Sequence, residues 1–125
     1  MRTFVGICII TRDVRGLHDF YRDVLQAEAE GEGDFVAFST RGAKLSLYTE
    51  EGMEQMAPGS TEAAGRGGCV LEFEVEDVDS EYERLKRMNV PIVKPPTTQP
   101  WGLRSVWFRD PDGNIANFYS EVSRG

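Results

Sequence analysis

Residues 101–120, WGLRSVWFRDPDGNIANFYS, decide the fold. Inside them, Asp110-Pro111-Asp112-Gly113-Asn114 is a strong turn signal. Proline fixes one dihedral, Asp and Asn side chains bond their own backbone, and glycine supplies the positive φ of a tight reversal. Runs rich in β-branched and aromatic residues flank the turn, Leu103 to Arg109 and Asn114 to Tyr119. The stretch therefore reads as a β-hairpin entered through Trp101-Gly102.

Toward the N-terminus the chain alternates strand and helix patterns, and it does so twice. Phe4 to Thr11 is a buried-strand run, and Asp13-Val14 opens a helix whose apolar face is Val14, Leu17, Tyr21, Val24 and Leu25. Gly31 and Gly33 end that pattern. Phe35 to Thr40 and Lys44 to Thr49 follow as short strands around an Arg41-Gly42 turn. Glu50 to Gly68 is polar, lacks periodicity and reads as a linker, with Met53 and Met56 as one short anchor. Cys69 to Glu76 starts the order again. A second helix follows, with Asp79 or Ser80 as N-cap, Glu83 completing a capping box with Ser80, and Val78, Tyr82, Leu85 and Met88 as its stripe. Pro91, Pro95, Pro96 and Pro100 mark an irregular edge strand and loop before Trp101. Ile7 to Val14 (ICIITRDV) overlays Leu71 to Val78 (LEFEVEDV) with the Asp-Val pairs coinciding, which is a weak internal repeat.

The Trp-Gly entrance, the Asp-Pro-Asp-Gly-Asn turn, the Phe20-Tyr21-Arg22-Asp23-Val24-Leu25 helix segment and the repeat together resemble the glyoxalase / bleomycin-resistance / extradiol-dioxygenase (vicinal oxygen chelate) superfamily. The resemblance spans about residues 4 to 121. It implies an α+β fold of two βαβββ modules whose mixed sheet curls into a cup, with the helices packed outside. On this reading residues 1–125 form a single glyoxalase-like domain. Module one covers about 1–50, the linker about 50–68 and module two about 69–125.

Composition sets limits on function. The chain is 40% hydrophobic and 28% charged, as globular proteins are, and no apolar run approaches the length of a membrane span. The opening MRTFVGICII enters a strand pattern without a signal-peptide cleavage region, so a cytoplasmic location is expected. A net charge of −7 argues against nucleic acid or an anionic membrane as partner and is compatible with neutral or cationic small ligands. Cys8 and Cys69 are expected to be free thiols, each a small core residue at the start of a strand.

Strand alternation sorts residues into faces. With Leu71, Phe73 and Val75 toward the helix, Val70, Glu72 and Glu74 face the cup. Gly6, Cys8, Ile10, Ser46, Tyr48, Ser105, Trp107, Ile115, Asn117 and Tyr119 join them, while Ile7, Ile9, Leu45 and Leu47 face outward. In metal-dependent members of the resembled family a His in the first strand, a Glu, Gln or His late in module one, a His opening module two and a Glu in the last strand hold the ion. Those positions fall at Gly6, Ser46, Val70 and Asn117, none a usual ligand. Independently, the chain has one histidine, His18, in the first helix, whereas oxygenase and zinc sites need more imidazole. No metal or other cofactor is expected, and no glyoxalase activity.

With ligands absent, the resemblance points to the bleomycin-resistance branch, which binds a drug stoichiometrically without chemistry. The expected ligand-binding residues are Tyr48, Glu72, Glu74, Trp101, Trp107, Asn117 and Tyr119. Aromatic faces beside carboxylates favour a flat or cationic small molecule, each cation–π contact contributing about 0.5–2 kcal/mol. No catalytic residue is assigned on this reading. Two alternatives stand beside it: a metal-free enzyme of lyase or isomerase type using Glu72 or Glu74 as general base, which requires burial to raise the pKa, and a dimeric interaction or regulatory module whose cup is filled by its own side chains. Exposed sheet edges point to a homodimer.

Overall fold

The computed structural model describes residues 2–62 and 68–122. The fold is α+β, and the chain divides into two compact units, Met1–Ala64 and Gly65–Gly125. No helix among the described residues is long and apolar enough to cross a membrane.

The first unit runs β1 (Gly6–Thr11), α1 (Val14–Leu25), β2 (Ala29–Glu30), β3 (Phe35–Phe38), β4 (Lys44–Thr49) and α2 (Glu50–Met56). Its sheet order is β1-β4-β3-β2, with β1 parallel to β4 and the other pairs antiparallel. Asp13 caps α1 by accepting from Gly16 N at 2.9 Å, and Gln26 ends it in the left-handed region at φ 52°. Four of the five predicted stripe residues are buried: Val14, Leu17, Tyr21 and Val24 pack with Val36, Phe38, Leu45 and Leu47 of the sheet, while Leu25 is half-buried. Each such side chain contributes about 1.5–3 kcal/mol by leaving water.

The second unit repeats the order as β5 (Val70–Glu74), α3 (Val78–Arg87), β6 (Ile92–Thr98), β7 (Leu103–Arg109) and β8 (Ile115–Glu121). Its sheet order is β5-β8-β7-β6, with β5 parallel to β8. Leu71, Val78, Leu85, Val106, Phe108, Ala116 and Phe118 form its core. Phe118 meets Phe108 and Phe73 edge-on at 5.1 and 6.0 Å. β6 carries Pro95 and Pro96 and shifts register twice against β7, the irregular edge that its prolines predict.

The β7–β8 hairpin is closed by Asp110, which is 4% exposed. Its Oδ1 accepts from Asp112 N and Asn114 N, both at 2.9 Å, and its Oδ2 accepts from Asn114 Nδ2 at 2.9 Å. Gly113 takes φ 86°, and its N–H donates to Asp110 O at 2.9 Å.

Three expectations are corrected. Glu50–Met56 of the expected linker is helical: Thr49 caps it by accepting from Gly52 N at 2.9 Å, and Glu50 and Glu51 sit favourably in its first turn. Residues 63–67 of that linker lie outside the described residues. The N-cap of α3 is Asp77, not Asp79 or Ser80. Its carboxylate accepts from both Ser80 N and Ser80 Oγ, at 3.2 and 2.8 Å, which leaves Ser80 no role in a box with Glu83. Cys8 and Cys69 are both exposed rather than core residues. Cys8 lies in β1 and Cys69 precedes β5, each the outermost strand of its sheet, where one flank has no strand neighbour.

Candidate functional site

In the second unit, register aligns the expected site residues into transverse rows on the sheet face opposite Leu71, Val106 and Phe118. Glu72 pairs with Asn117, Asn117 with Trp107, and Trp107 with Lys94, so one row crosses all four strands. The next row is Glu74, Tyr119, Ser105 and Thr97. Opposed residues in a ladder share a face and lie about 5 Å apart, so each row is a contiguous surface.

Asn117 is the centre of the first row. It is 2% exposed, and its Nδ2 donates to Glu72 Oε1 at 3.4 Å, a long contact. Its Oδ1 is buried with no hydrogen-bond partner among the described residues. Leaving such an acceptor unpaired costs about 1–3 kcal/mol, an unusual feature in a fold whose turn and caps are well satisfied. On the other flank, half-buried Trp107 donates Nε1–H to Ser105 Oγ at 3.0 Å, and Ser105 is buried. That bond fixes the indole plane beside Asn117.

Glu72 and Glu74 are exposed. Arg104, the basic residue nearest them in the second unit's strands by chain position, instead forms a bidentate pair with Asp79, at 2.7 and 2.9 Å. Tyr119 is half-buried. Trp101 lies in the turn before β7, 64% exposed, beyond the row of Tyr119. Lys94 completes the first row and was not legible in the sequence, because two register shifts separate it from any simple strand alternation.

Tyr48 stands apart, in the first unit. Its ring meets Phe35 edge-on at 5.5 Å and packs beneath α2 at Gly52. A Cβ at Gly52 would lie 2.5 Å from the Tyr48 ring. Packing therefore accounts for Tyr48. Cys8 and Ser46 are paired in β1–β4, and the internal repeat makes them the counterparts of Glu72 and Asn117. Cys8 is partly desolvated, which pushes its thiol pKa up and disfavours the thiolate. The first unit also carries an open groove of about 560 Å³ lined in part by Thr11, Arg12, Thr49, Glu50 and Glu54. Those polar groups are engaged: Thr11 with the Asp13 amide at 3.0 Å, Arg12 with Glu50 at 2.8 Å, Thr49 as a cap, and Glu54 with Thr61 Oγ1 at 2.6 Å. His18 stacks on Phe38 and bonds Asp19 at 2.9 Å, a helix residue as expected.

The sequence pattern of the Glyoxalase/Bleomycin resistance protein/Dioxygenase superfamily matches residues 3–118. The chain belongs to this superfamily. Among superfamily-like chains, it is 30% identical over 120 residues to "Uncharacterized protein YraH" of Bacillus subtilis, covering 90% of this chain and 94% of that one. A crystal structure of a protein of unknown function from Agrobacterium tumefaciens aligns with TM-score 0.81 at 31% identity, over 98% of this chain and 96% of that chain. A glyoxalase/bleomycin resistance protein/dioxygenase family enzyme from Burkholderia phytofirmans aligns with TM-score 0.85 over 97% and 100%; at 17% identity it shares the fold alone.

Metal chemistry runs through part of this superfamily, so the donor set needs testing. At the four corresponding positions, Gly6 has no side chain and Val70 is apolar, while Ser46 and Asn117 are neutral. A Cβ at Gly6 would lie 2.3 Å from Lys44 O, so a side chain there requires the start of β1 to shift locally. No group of three or more His, Cys, Asp or Glu among the described residues is placed to hold an ion. The residues do not fit the metal.

Proposed function

We propose that this superfamily member binds a small flat or cationic molecule, without a metal, on the module-two sheet face. The observation that carries the reading is the Glu72–Asn117–Trp107 row, which sets a carboxylate, a buried free acceptor and an oriented indole side by side. Aromatic area supplies affinity, and a few placed polar groups fix orientation. Glu74, Tyr119 and Trp101 extend the same surface. Glu72 and Glu74 are exposed, so both carboxylates are open to a ligand's positive charge, and binding is favoured over turnover.

The protein acts in the cytoplasm as a homodimer and confers tolerance where its ligand is toxic. Phe4 and Val5, each 74% exposed ahead of β1, supply apolar area for a second copy. Light scattering on the eluted protein is expected to give the mass of two chains.

Tryptophan fluorescence tests the binding reading against a panel of flat, cationic and neutral aromatic compounds, with and without divalent metal and chelator. Saturable quenching that ignores metal is expected, and it persists in Trp101→Phe. A response that requires metal, or none to any compound, overturns the reading.

A further inference from the structure

The proposed binding face carries one group that a merely flat or merely cationic ligand leaves unsatisfied. Asn117 Oδ1 is an acceptor with no donor among the described residues, in a residue only 2% exposed. The amide orientation is set by its neighbour. Nδ2 faces Glu72 Oε1, and a flip would bring two acceptor oxygens together. At the β5 end of this row the protein therefore leaves two acceptors side by side, the free Asn117 oxygen and the Glu72 carboxylate. Trp107 cannot supply the missing proton, because its single N–H is already given to Ser105 Oγ at 3.0 Å. Lys94 lies two strands from Asn117, about 10 Å at ordinary strand spacing, and cannot reach it without crossing the indole.

We propose, building on the binding reading above, that this row selects a planar cation with two N–H donors, of the amidinium or guanidinium class, carried on a flat apolar group. Two coplanar N–H groups match two neighbouring acceptors as one ammonium does not. One donates to the Glu72 carboxylate and the other to Asn117 Oδ1, while the attached ring lies against Trp107. Glu72 is exposed and its 3.4 Å contact is to Nδ2, so it turns to meet a ligand at little cost, while Asn117 Oδ1, covered in the free protein, is reached as the ligand displaces its neighbours. The cation sits at the β5 end of the row, away from Lys94. Asn117 is thus a specificity residue: its unpaired oxygen is a penalty in the free protein that only a donor relieves.

Benzamidine is the probe, read by the fluorescence of Trp107 in a Trp101→Phe background and by calorimetry. Benzamide serves as the neutral isostere and benzylamine as the single-headed cation. Benzamidine is expected to bind at least about tenfold more tightly than either. Asn117→Leu, which removes the unpaired oxygen, is expected to lower benzamidine affinity about tenfold and to lower benzamide, whose one NH2 group can meet only one of the two acceptors, by a smaller factor. Glu72→Gln lowers benzamidine affinity by a similar factor. Benzamide binding as tightly as benzamidine, or an Asn117→Leu affinity within about twofold of wild type, overturns the proposal. If neutral flat compounds bind and the amidinium has no advantage, this inference falls and the binding reading stands. If nothing on the wider panel binds, both fall.

Discussion

Arg104 clasps Asp79 through two contacts, Nη2 to Oδ1 at 2.7 Å and Nε to Oδ2 at 2.9 Å, and sends Nη1 to Thr98 Oγ1 at 3.0 Å. One guanidinium thereby ties β7 to the first turn of α3 and to its neighbour strand β6. Both side chains are partly exposed, so the effect on stability is small, but the fork geometry is specific. Arg104→Ala is expected to lower the urea midpoint slightly, and Arg104→Lys to recover less than half of that loss. Full recovery by lysine would show that a point charge suffices.

The same pairing has a pH signature. Hydrogen bonding by Arg104 holds the Asp79 carboxyl below its usual range, and Ser80 does the same for Asp77. Thr61 and the Gly59 amide lower Glu54, and His18 lowers Asp19. A carboxylate depressed in the folded state stabilises it above the unfolded pKa, roughly 4, and loses that contribution as pH falls through the folded value. Urea midpoints are therefore expected to be level above about pH 5 as far as these groups go, and to fall below about pH 4. Arg104→Ala is expected to fall less steeply on the acid side, since Asp79 then titrates nearer its unfolded pKa.

Asp110 supports its turn from the inside, bonding two backbone N–H groups and the Asn114 amide while nearly buried. Asp110→Ala orphans those donors and is expected to cost about 2–3 kcal/mol, or roughly 10 °C in Tm. Asp110→Asn keeps one acceptor and is expected to lose less. Equal losses in the two variants, measured by calorimetry, would contradict this account.

Gly52 reverses the usual helix rule. Alanine normally stabilises a helix over glycine by about 0.5–1 kcal/mol. Here its Cβ would meet the Tyr48 ring at 2.5 Å and Thr49 Oγ1 at 2.9 Å. Gly52→Ala is expected to destabilise by about 1–3 kcal/mol. Removing the ring in a Tyr48→Ala background is expected to abolish most of that cost, a coupling of about 1 kcal/mol or more in a double-mutant cycle.

How much of this was legible follows from the range of each interaction. The final hairpin, the α1 stripe and the repeated order rest on local spacing, and they came through intact. The seven-residue α2 did not, because so short a helix shows no periodicity and Gly52 sits in its interior. The α3 cap fell two residues early because Asp77, Asp79 and Ser80 are all capable caps, and only the backbone chooses among them. Face alternation predicted that Asn117 and Glu72 share a surface. That they are direct partners is a matter of register, which no single strand carries. Arg104 chose Asp79 over the nearby glutamates for the same reason: long-range pairs are decided by packing.

Gly6 gives the chain a direction of travel. Any residue with a side chain at this position, histidine included, puts its Cβ 2.3 Å from the Lys44 carbonyl oxygen. A chelating side chain at Gly6 therefore asks for more than a point substitution, since the start of β1 must first shift locally against β4. Of the four positions, this one is guarded by the backbone rather than by the choice of side chain.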